Sequence, residues 1–389
     1  MPRHEAYVHV RHRQNHMATT FDLRISCEKS RIKAADSVLL EAHHRIEVLE
    51  GELSEFLSSS PVRQLNLAEP FMEVPVPSSV IDLLEQSLKI QERTAGAFSC
   101  TVKSGPLSRQ VPKPMDWSRE RGVAWRTTAD AWLSFAAIGK GYALDRVRHL
   151  IERNGFTDYL LNAGGSSLVF SGFSAPGEPW SWAWSWKRDE QGQDLGIEFS
   201  HVTGEKISIG VSGLHEKGLH LIDPRTGAKA QECQTALVAH PSAGTADALS
   251  TALFVSQGEW KDPEKLLDSA VPFATASIDS SGTPRWNGWF QRFWGGLDRS
   301  AQLGLLFLIT ASMSTTAAWA DSGDEAIDLG SLGVSKFNPY LFERHSWLVA
   351  LPAFASALAL IHLLRVKRAR SAASKKIQTP QNVTKGTVQ

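Results

Sequence analysis

Asp247 and Thr251 carry oxygen atoms that could together bind a cation. They stand four positions apart in an apolar stretch that predicts a helix, so their oxygens share one face and could bind one hard cation. Each also has a simpler interpretation. The carboxylate could stabilise a helix N-terminus, and the hydroxyl could bond to a backbone carbonyl one turn earlier. The pair alone leaves both interpretations open.

The stretch 133–168 is a second candidate, because it predicts a small-residue loop, an amphipathic helix and a buried strand. A loop that begins a helix points free N–H groups outward, which makes it a candidate anion or phosphate site, and Lys140 lies on this loop. Asn154 and Gly155 predict the end of the helix. Most turns of this kind bind nothing, and an exposed lysine is the simpler interpretation of Lys140.

Hydrophobic periodicity predicts the elements that would position these residues. Helical spacing predicts helices at 34–56 and 80–94, the second capped by Ser78 and Ser79. Alternation of apolar and polar residues predicts strands at 21–25, 180–186 and 207–212.

Two of these elements carry side chains with more than one interpretation. The helix at 34–56 contains four side chains that could be metal ligands, His43, His44, Glu47 and Glu50, but a solvated helix face is the commoner reason for such residues. The strand at 180–186 has a tryptophan at every second position. These rings could stack on a ligand, although aromatic side chains more often pack in cores.

Composition sets the broad class of the protein. With 389 residues, of which 42% are hydrophobic, the chain exceeds one typical domain and can bury a substantial core. Lys and Arg total 41, as do Asp and Glu, and the first 300 residues lack a basic block, which argues against a nucleic-acid partner. Cys27, Cys100 and Cys233 are scattered, so we expect a reducing compartment without a disulfide framework or metal cluster.

The two ends of the chain differ from the centre. Residues 1–15 are polar without the apolar segment of a secretory signal, and we expect a polar N-terminal tail. Residues 301–320 and 346–364 contain no Asp, Glu, Lys or Arg, and each is long enough to span a bilayer as a helix. A signal-like cleavage pattern is the alternative interpretation of the first of them.

Charge around these two spans predicts their orientation. The loop at 321–345 is acidic, whereas basic residues crowd into 365–389. Positive-inside logic places that basic tail in the cytoplasm, and two spans then place the N-terminal domain on the same side. We therefore expect a multi-pass protein of the inner (cytoplasmic) membrane, with residues 276–300 as a linker before the transmembrane hairpin.

Several motifs occur in the order of a known family. They stand at 17–20, 53–66, 96–102, 133–168, 220–227 and 246–253. The segment 96–102, Gly-Ala-Phe-Ser-Cys-Thr-Val, is similar to a Gly-Ala-Phe-Asp-x-Thr-Val flavin segment, and 220–227 contains an Asp-Pro-Arg-Thr-Gly turn. Over roughly residues 15 to 260 the sequence resembles the ApbE family, the FAD:protein FMN transferases.

The resemblance implies a fold and an activity. The fold is α+β, an ApbE-like flavin transferase domain at 16–275 followed by the C-terminal transmembrane hairpin. The activity is Mg2+-dependent transfer of FMN from FAD to a Ser or Thr hydroxyl of an acceptor flavoprotein, with release of AMP. Tethering suggests that the acceptor is a membrane redox subunit. A non-catalytic flavin-binding or assembly module and an FAD hydrolase are the alternatives.

The resemblance also assigns roles to residues. His220, as general base or phosphate contact, would act in catalysis with Asp247 and Thr251. The same Asp247 and Thr251 would bind Mg2+ together with the carbonyl of Ala137. Contacts to FAD are implied for Met17, Ala97, Phe98, Ser99, Ser134, Ala137, Lys140 and Leu221.

Three positions depart from the family pattern, because Ser99, Ser134 and Ser166 stand where Asp is usual. The carboxylate at position 134 normally helps to hold the cofactor, so its loss is expected to weaken FAD binding. Ser134→Asp is then expected to tighten it. The metal pair Asp247 and Thr251 is intact, which favours an active protein.

Overall fold

The computed structural model describes residues 7–286, apart from 102–110, 112, 177, 189–193, 202–204, 214–220, 232, 261–273 and 281–283. The chain divides into one unit at Met1–Gly295 and another at Gly296–Gln389, and all described residues belong to the first. The predicted hairpin and basic tail therefore lie outside the described residues. Within the described part of the chain, no helix is long and apolar enough to cross a membrane.

Antiparallel strand pairing dominates the fold, as the α+β prediction requires. The strands are β1 (Tyr7–His16), β2 (Thr19–Glu28), β3 (Val74–Pro75), β4 (Met115–Ser118), β5 (Val123–Arg126), β6 (Tyr159–Ala163), β7 (Ser167–Ser171), β8 (Trp180–Arg188), β9 (Asp194–His201), β10 (Ile207–Gly213), β11 (Cys233–His240), β12 (Ala274–Asp279) and β13 (Pro284–Trp286). An eight-stranded sheet has the order β1-β2-β6-β7-β10-β11-β12-β13, while β3-β5-β4 and β8-β9 form smaller sheets. Every pairing in the large sheet is antiparallel. Strands β12 and β13 extend this sheet into the stretch where the linker was expected to begin.

Helices cover the sheet and enclose the main core. They are α1 (Ile32–Leu53), α2 (Pro61–Leu67), α3 (Ser78–Arg93), α4 (Gly139–Arg153) and α5 (Ala243–Val255). Helix α4 packs between α1 and α5, and α5 also packs on β10, β11 and α3. The central position of α5 matters for function, because it carries Asp247.

The prediction of a polar tail at residues 1–15 is wrong for most of that range, since Tyr7–His16 forms β1 at the edge of the sheet. The strand pairs with β2 over its whole length, from Tyr7 opposite Glu28 to His16 opposite Thr19. An edge strand is half in solvent and carries many polar residues, so its hydrophobic alternation is weak. A two-residue turn at Met17 and Ala18, with φ of 51° and 58°, closes the hairpin.

Helix α1 confirms the predicted apolar face but not the predicted polar one. It ends at Leu53 rather than Phe56, because the Ser54 hydroxyl accepts hydrogen bonds from the next backbone N–H groups. His43, expected on the solvated face, is buried with 2% exposure. Its Nδ1 lies 3.1 Å from Nε2 of His16 on β1, so the strand that sequence analysis missed covers this side of the helix.

The buried histidine predicts how stability depends on pH. Burial, together with neighbouring His16, lowers the pKa of His43 to about 4. Between its unfolded pKa of about 6.5 and this value, only the unfolded chain binds the proton, so the free energy of unfolding falls as pH falls. We expect this difference in proton binding at His43 to lower the free energy of unfolding by about 2 kcal/mol at pH 5.

Urea unfolding of wild type and His43→Gln at pH 7 and pH 5 measures this contribution. The variant cannot titrate at this position, so its loss of stability between the two pH values should be smaller. Comparing the change in unfolding free energy between the two pH values, rather than the stabilities themselves, removes the constant cost of losing the bond to His16. An identical loss in both proteins would show that His43 is protonated in the folded state.

Side-chain contacts bear on two further expectations. Ser78 and Ser79 lie inside α3 rather than capping it, and the Ser79 hydroxyl donates to Glu52 Oε2 on α1 at 2.5 Å. The tryptophan-rich strand exists as β8, and its first residue, Trp180, is buried and donates to the Ser171 carbonyl. Trp180 is therefore a core residue rather than a stacking surface.

Candidate active site

Helix α5 is held in the molecule by contacts at its N-terminus. The Ser242 hydroxyl accepts from Thr245 N at 3.2 Å, as an N-cap residue does. The Asp145 carboxylate of α4 accepts from Ala243 N and from Gly244 N, each at 3.0 Å. Asp145 thus satisfies helix N–H groups across the α4–α5 contact. Nothing in the sequence indicated this role, since a carboxylate within a helix normally faces solvent.

Two glycines bring backbones into direct contact around α5. A Cβ on Gly141 of α4 would lie 2.2 Å from the Ala243 carbonyl oxygen. A Cβ on Gly210 of β10 would lie 2.2 Å from the Ala246 carbonyl oxygen. Both partners are backbone atoms that cannot rotate away, so only glycine fits at either position. The resulting close packing sets Asp247 against the first turn of α4.

The Asp247 carboxylate is the centre of the site. It is 3% exposed and accepts a hydrogen bond from the Ser167 hydroxyl on Oδ1 at 2.8 Å. On Oδ2 it accepts from Gly141 N at 3.1 Å, and Lys140 Nζ lies 3.4 Å away. Burial raises the pKa of Asp247, and the nearby Lys140 and the Ser167 hydrogen bond oppose that shift. The predicted anion site at the start of α4 thus contacts a carboxylate of this chain.

Thr251 lies one turn after Asp247 on α5, as the spacing predicts. Its hydroxyl is 3.4 Å from the Asp247 carbonyl oxygen and 3.1 Å from the Ser212 hydroxyl of β10. Ser212 also lies 2.9 Å from the Ser250 hydroxyl. The bond to a backbone carbonyl expected from the simpler interpretation is present but long. The hydroxyl of Ser212 was not found from the sequence and adds an oxygen to this side of the site.

The chemistry of these donors fits a magnesium ion. Asp247 offers a buried carboxylate, Thr251 a half-buried hydroxyl, and Ala137 lies half-buried in the turn before α4. Within the described residues, no group of three His, Cys, Asp or Glu side chains could hold a metal. Magnesium does not need such a group, because it commonly takes one or two carboxylates together with substrate phosphates and water.

Of the FAD-contacting residues assigned by resemblance, Ala97 and Phe98 are buried at 0% and 1% exposure. Their side chains pack in the core, so any contact of these residues with FAD would be made by the backbone, and that part of the assignment stays a prediction. Ser99 is half-buried, and its hydroxyl accepts from Thr101 N at 3.1 Å. Where the family has Asp, this serine therefore shapes the local turn.

The remaining assigned residues are placed as follows. Met17 and Leu221 are half-buried and pack against the main core. The predicted catalytic His220 lies outside the described residues, so its role stays a prediction. Arg225, five residues later, has its Cγ 3.4 Å from where a Cβ on Gly96 would be. Arg225 in the second motif thus lies next to Gly96 in the flavin-like segment.

Ser134 has a partner that the sequence did not reveal. Its hydroxyl donates to Glu55 Oε1 at 2.7 Å, and both residues are buried. Their separation by 79 positions explains why sequence reasoning could not pair them. Position 134 lacks the carboxylate that is usual in the family, but Glu55 places a carboxylate directly beside it.

The sequence model of the ApbE family matches residues 17–267, well over half of the chain. This chain belongs to the ApbE family. Among its relatives, the FAD:protein FMN transferase of Klebsiella pneumoniae (strain 342) is 26% identical over 254 residues, which cover 57% of this chain and 71% of that protein. The FAD:protein FMN transferase of Salmonella typhimurium is 24% identical over 264 residues, covering 60% and 75%.

Solved structures of ApbE proteins share the fold. The flavin transferase ApbE from Vibrio cholerae superposes with a TM-score of 0.62 at 18% identity, covering 74% of this chain and 99% of that one. The apo form of the Pseudomonas stutzeri flavinyl transferase ApbE gives a TM-score of 0.62 at 20% identity, covering 75% and 98%. The ApbE fold expected from the sequence motifs is confirmed.

Proposed function

We propose that this protein transfers the FMN part of FAD to a Ser or Thr hydroxyl of an acceptor protein and releases AMP. In this reaction the acceptor oxygen bonds to the phosphorus of the FMN moiety, and the bond from that phosphorus to the oxygen of AMP breaks. The hydroxyl proton leaves with a base, and AMP departs with its phosphate. Family membership and the relatives' printed activity support the proposal.

The observation that carries it is the buried Asp247 carboxylate beside Lys140 at the first turn of a helix. Asp247, Thr251 and the Ala137 carbonyl would hold Mg2+, and the bound ion would offset negative charge on the FAD phosphates. Lys140, with 20% side-chain exposure, can pair with a phosphate as well as with Asp247. Ser167 and Gly141 N keep the carboxylate in one orientation.

His220 is the residue we propose as the base for the acceptor hydroxyl. It stands at the start of the motif 220–227, and Arg225 in that motif lies next to Gly96. Neutral imidazole accepts a proton near neutral pH, which suits this step. His220→Ala should lower the rate of transfer with little change in FAD affinity. A large loss of FAD affinity would instead show that His220 is a binding contact.

Mass analysis of an acceptor tests the function directly. Purified protein is incubated with FAD, Mg2+ and candidate membrane redox subunits, and each subunit is examined for FMN on a Ser or Thr. Labelled acceptor with AMP supports transfer. AMP and free FMN without labelled protein would indicate an FAD hydrolase, and FAD binding without AMP would indicate a non-catalytic flavin-binding or assembly module.

We further propose that residues 301–320 and 346–364 anchor the protein in the cytoplasmic membrane, with the flavin-transferring domain on the cytoplasmic side. Their uncharged sequences and the basic residues that follow support this topology. An anchored enzyme would meet its acceptor in the plane of the membrane. This favours a membrane redox subunit as the acceptor.

Truncation after Arg299 tests the anchor. We expect the full chain to sediment with membranes and residues 1–299 to remain in the soluble fraction, because the two apolar stretches are removed. Labelling of a soluble decoy acceptor serves as the control for catalytic competence. A truncated protein that still sedimented with membranes would place the anchor elsewhere, and equal labelling of membrane and decoy acceptors would argue against a membrane-bound partner.

A further inference from the structure

A buried carboxylate after the end of α1 fixes two side chains of the segment that leads to α4. Glu55, with 7% exposure, accepts from the Ser134 hydroxyl on Oε1 and from Trp132 Nε1 on Oε2, both at 2.7 Å. Hydrogen bonds to an ionised acceptor are short and strong. With both oxygens bonded, the carboxylate and its two partners are held in one arrangement.

A pocket of about 480 Å³ opens beside this arrangement, and Glu55, Asn66, Arg126, Asp130 and Trp132 contribute to its lining. Its volume lies in the range of small-molecule sites. Trp132 supplies an aromatic surface, and the carboxylates can accept from N–H or O–H groups of a ligand. FAD offers both aromatic rings and such donors.

The wall of this pocket is fixed by the backbone as well. Asn66 accepts from Leu133 N at 2.7 Å and donates to the Leu133 carbonyl at 2.8 Å. Ser134 N donates to the Cys100 carbonyl at 2.8 Å. Arg126 donates to the Ala131 carbonyl at 3.2 Å. The wall therefore exists before a ligand arrives, and less ordering is required on binding.

The pocket and the Asp247 site share one short segment of chain. Eight positions separate Trp132, the last lining residue of the pocket, from Lys140, and such a segment reaches at most about 28 Å when extended. At its far end, Lys140 Nζ and Gly141 N approach the Asp247 carboxylate. One elongated ligand with phosphates in its middle could contact both ends.

We propose that Glu55 is a positioning residue for FAD: its carboxylate, held by the buried Ser134 hydroxyl on one oxygen, fixes Trp132 on the other, so that Glu55 and Trp132 form a preorganised wall of the FAD pocket. This inference rests on the function proposed above. It also reverses the expectation for Ser134→Asp. A carboxylate placed beside Glu55 in a buried site would raise the energy of both, because like charges at this distance cannot both ionise freely.

A double-mutant cycle tests the inference. FAD is titrated into wild type, Ser134→Asp, Glu55→Gln and the double variant, with flavin fluorescence as the readout. We expect Ser134→Asp to weaken binding about tenfold when Glu55 is present, and the same change to improve binding when it is added to Glu55→Gln, where one carboxylate remains. In turnover, KM for FAD should rise while kcat changes little.

Glu52→Gln is the matched control, since Glu52 also accepts from a serine hydroxyl, that of Ser79, but does not line the pocket. Its FAD affinity should equal that of wild type. Thermal unfolding without FAD identifies variants that do not fold. If Ser134→Asp is among them, Ser134→Ala replaces it, and we expect about threefold weaker binding because Glu55 loses one of its partners.

Four outcomes overturn the inference. Tighter FAD binding by Ser134→Asp in the presence of Glu55 would show that no carboxylate faces position 134 in the working site. Additive effects of the two changes, or unchanged affinity of Ser134→Ala, would show that Glu55 and Ser134 do not act together. Wild-type protein that does not bind FAD would remove the proposed function along with this inference, whereas the first three outcomes leave that function standing.

Discussion

Asp247→Asn is expected to abolish FMN transfer while the protein remains folded. The change keeps the shape of the side chain but removes the one negative charge assigned to the metal site. Loss of several kcal/mol of phosphate charge stabilisation corresponds to a rate decrease of about a thousandfold or more. Stability should change by only about 1 to 2 kcal/mol, because the amide oxygen can keep one of the bonds to Ser167 and Gly141 N.

AMP release from FAD, followed over a range of Mg2+ concentrations, measures this effect. Asp82→Asn is the control, since Asp82 is a carboxylate of α3 that pairs with Arg119 and Arg146 at the surface. It should retain wild-type turnover. Wild-type turnover by Asp247→Asn at every Mg2+ concentration would remove Asp247 from the mechanism.

Gly141→Ala is expected to lower both stability and turnover, for a steric reason. The added methyl would lie 2.2 Å from the Ala243 carbonyl oxygen and 2.8 Å from Gly244 N, so α4 and α5 would have to separate. Such overpacking costs about 1 to 3 kcal/mol of stability. A displacement of about 1 Å between Lys140 and Asp247 would lower turnover about a hundredfold.

Gly139→Ala is the matched control, because it adds the same methyl two positions earlier in the same helix. There the nearest atom, Phe135 Cβ, would be at an ordinary 3.7 Å. Alanine should be neutral or more stable by about 0.5 to 1 kcal/mol. Urea unfolding and AMP release measure both variants. If Gly141→Ala matched Gly139→Ala in stability and turnover, close approach of α4 and α5 would not determine the site.

The sequence predicted the parts of this protein that depend on local pattern. Helix α1, helix α4 with its end at Asn154, and the i, i+4 placement of Asp247 and Thr251 all follow from periodicity and spacing. Ordered motifs identified the family, and through it the fold. Each of these signals lies within a short stretch of chain, where residue types act on their immediate neighbours.

What the sequence did not predict depends on contacts between distant residues. Strand β1 is held at a sheet edge by pairing with β2, so its own residues carry little hydrophobic signal. His43 is buried because that strand covers it. Glu55 accepts a hydrogen bond from Ser134, which lies 79 positions away in the sequence. Asp145 caps a helix that begins about 100 positions later. Neither partner could be identified without the fold.

Simultaneous measurement of AMP and protein-bound FMN decides whether this protein is a flavin transferase. The protein is incubated with FAD, Mg2+ and an acceptor redox subunit, with Asp247→Asn in parallel. If the chain is a flavin transferase, AMP and FMN covalently attached to a Ser or Thr of the acceptor should form in equal amounts with wild type, and neither should form with the variant. AMP that accumulates with free FMN while the acceptor stays unlabelled, or labelling that persists without Asp247, would contradict the account.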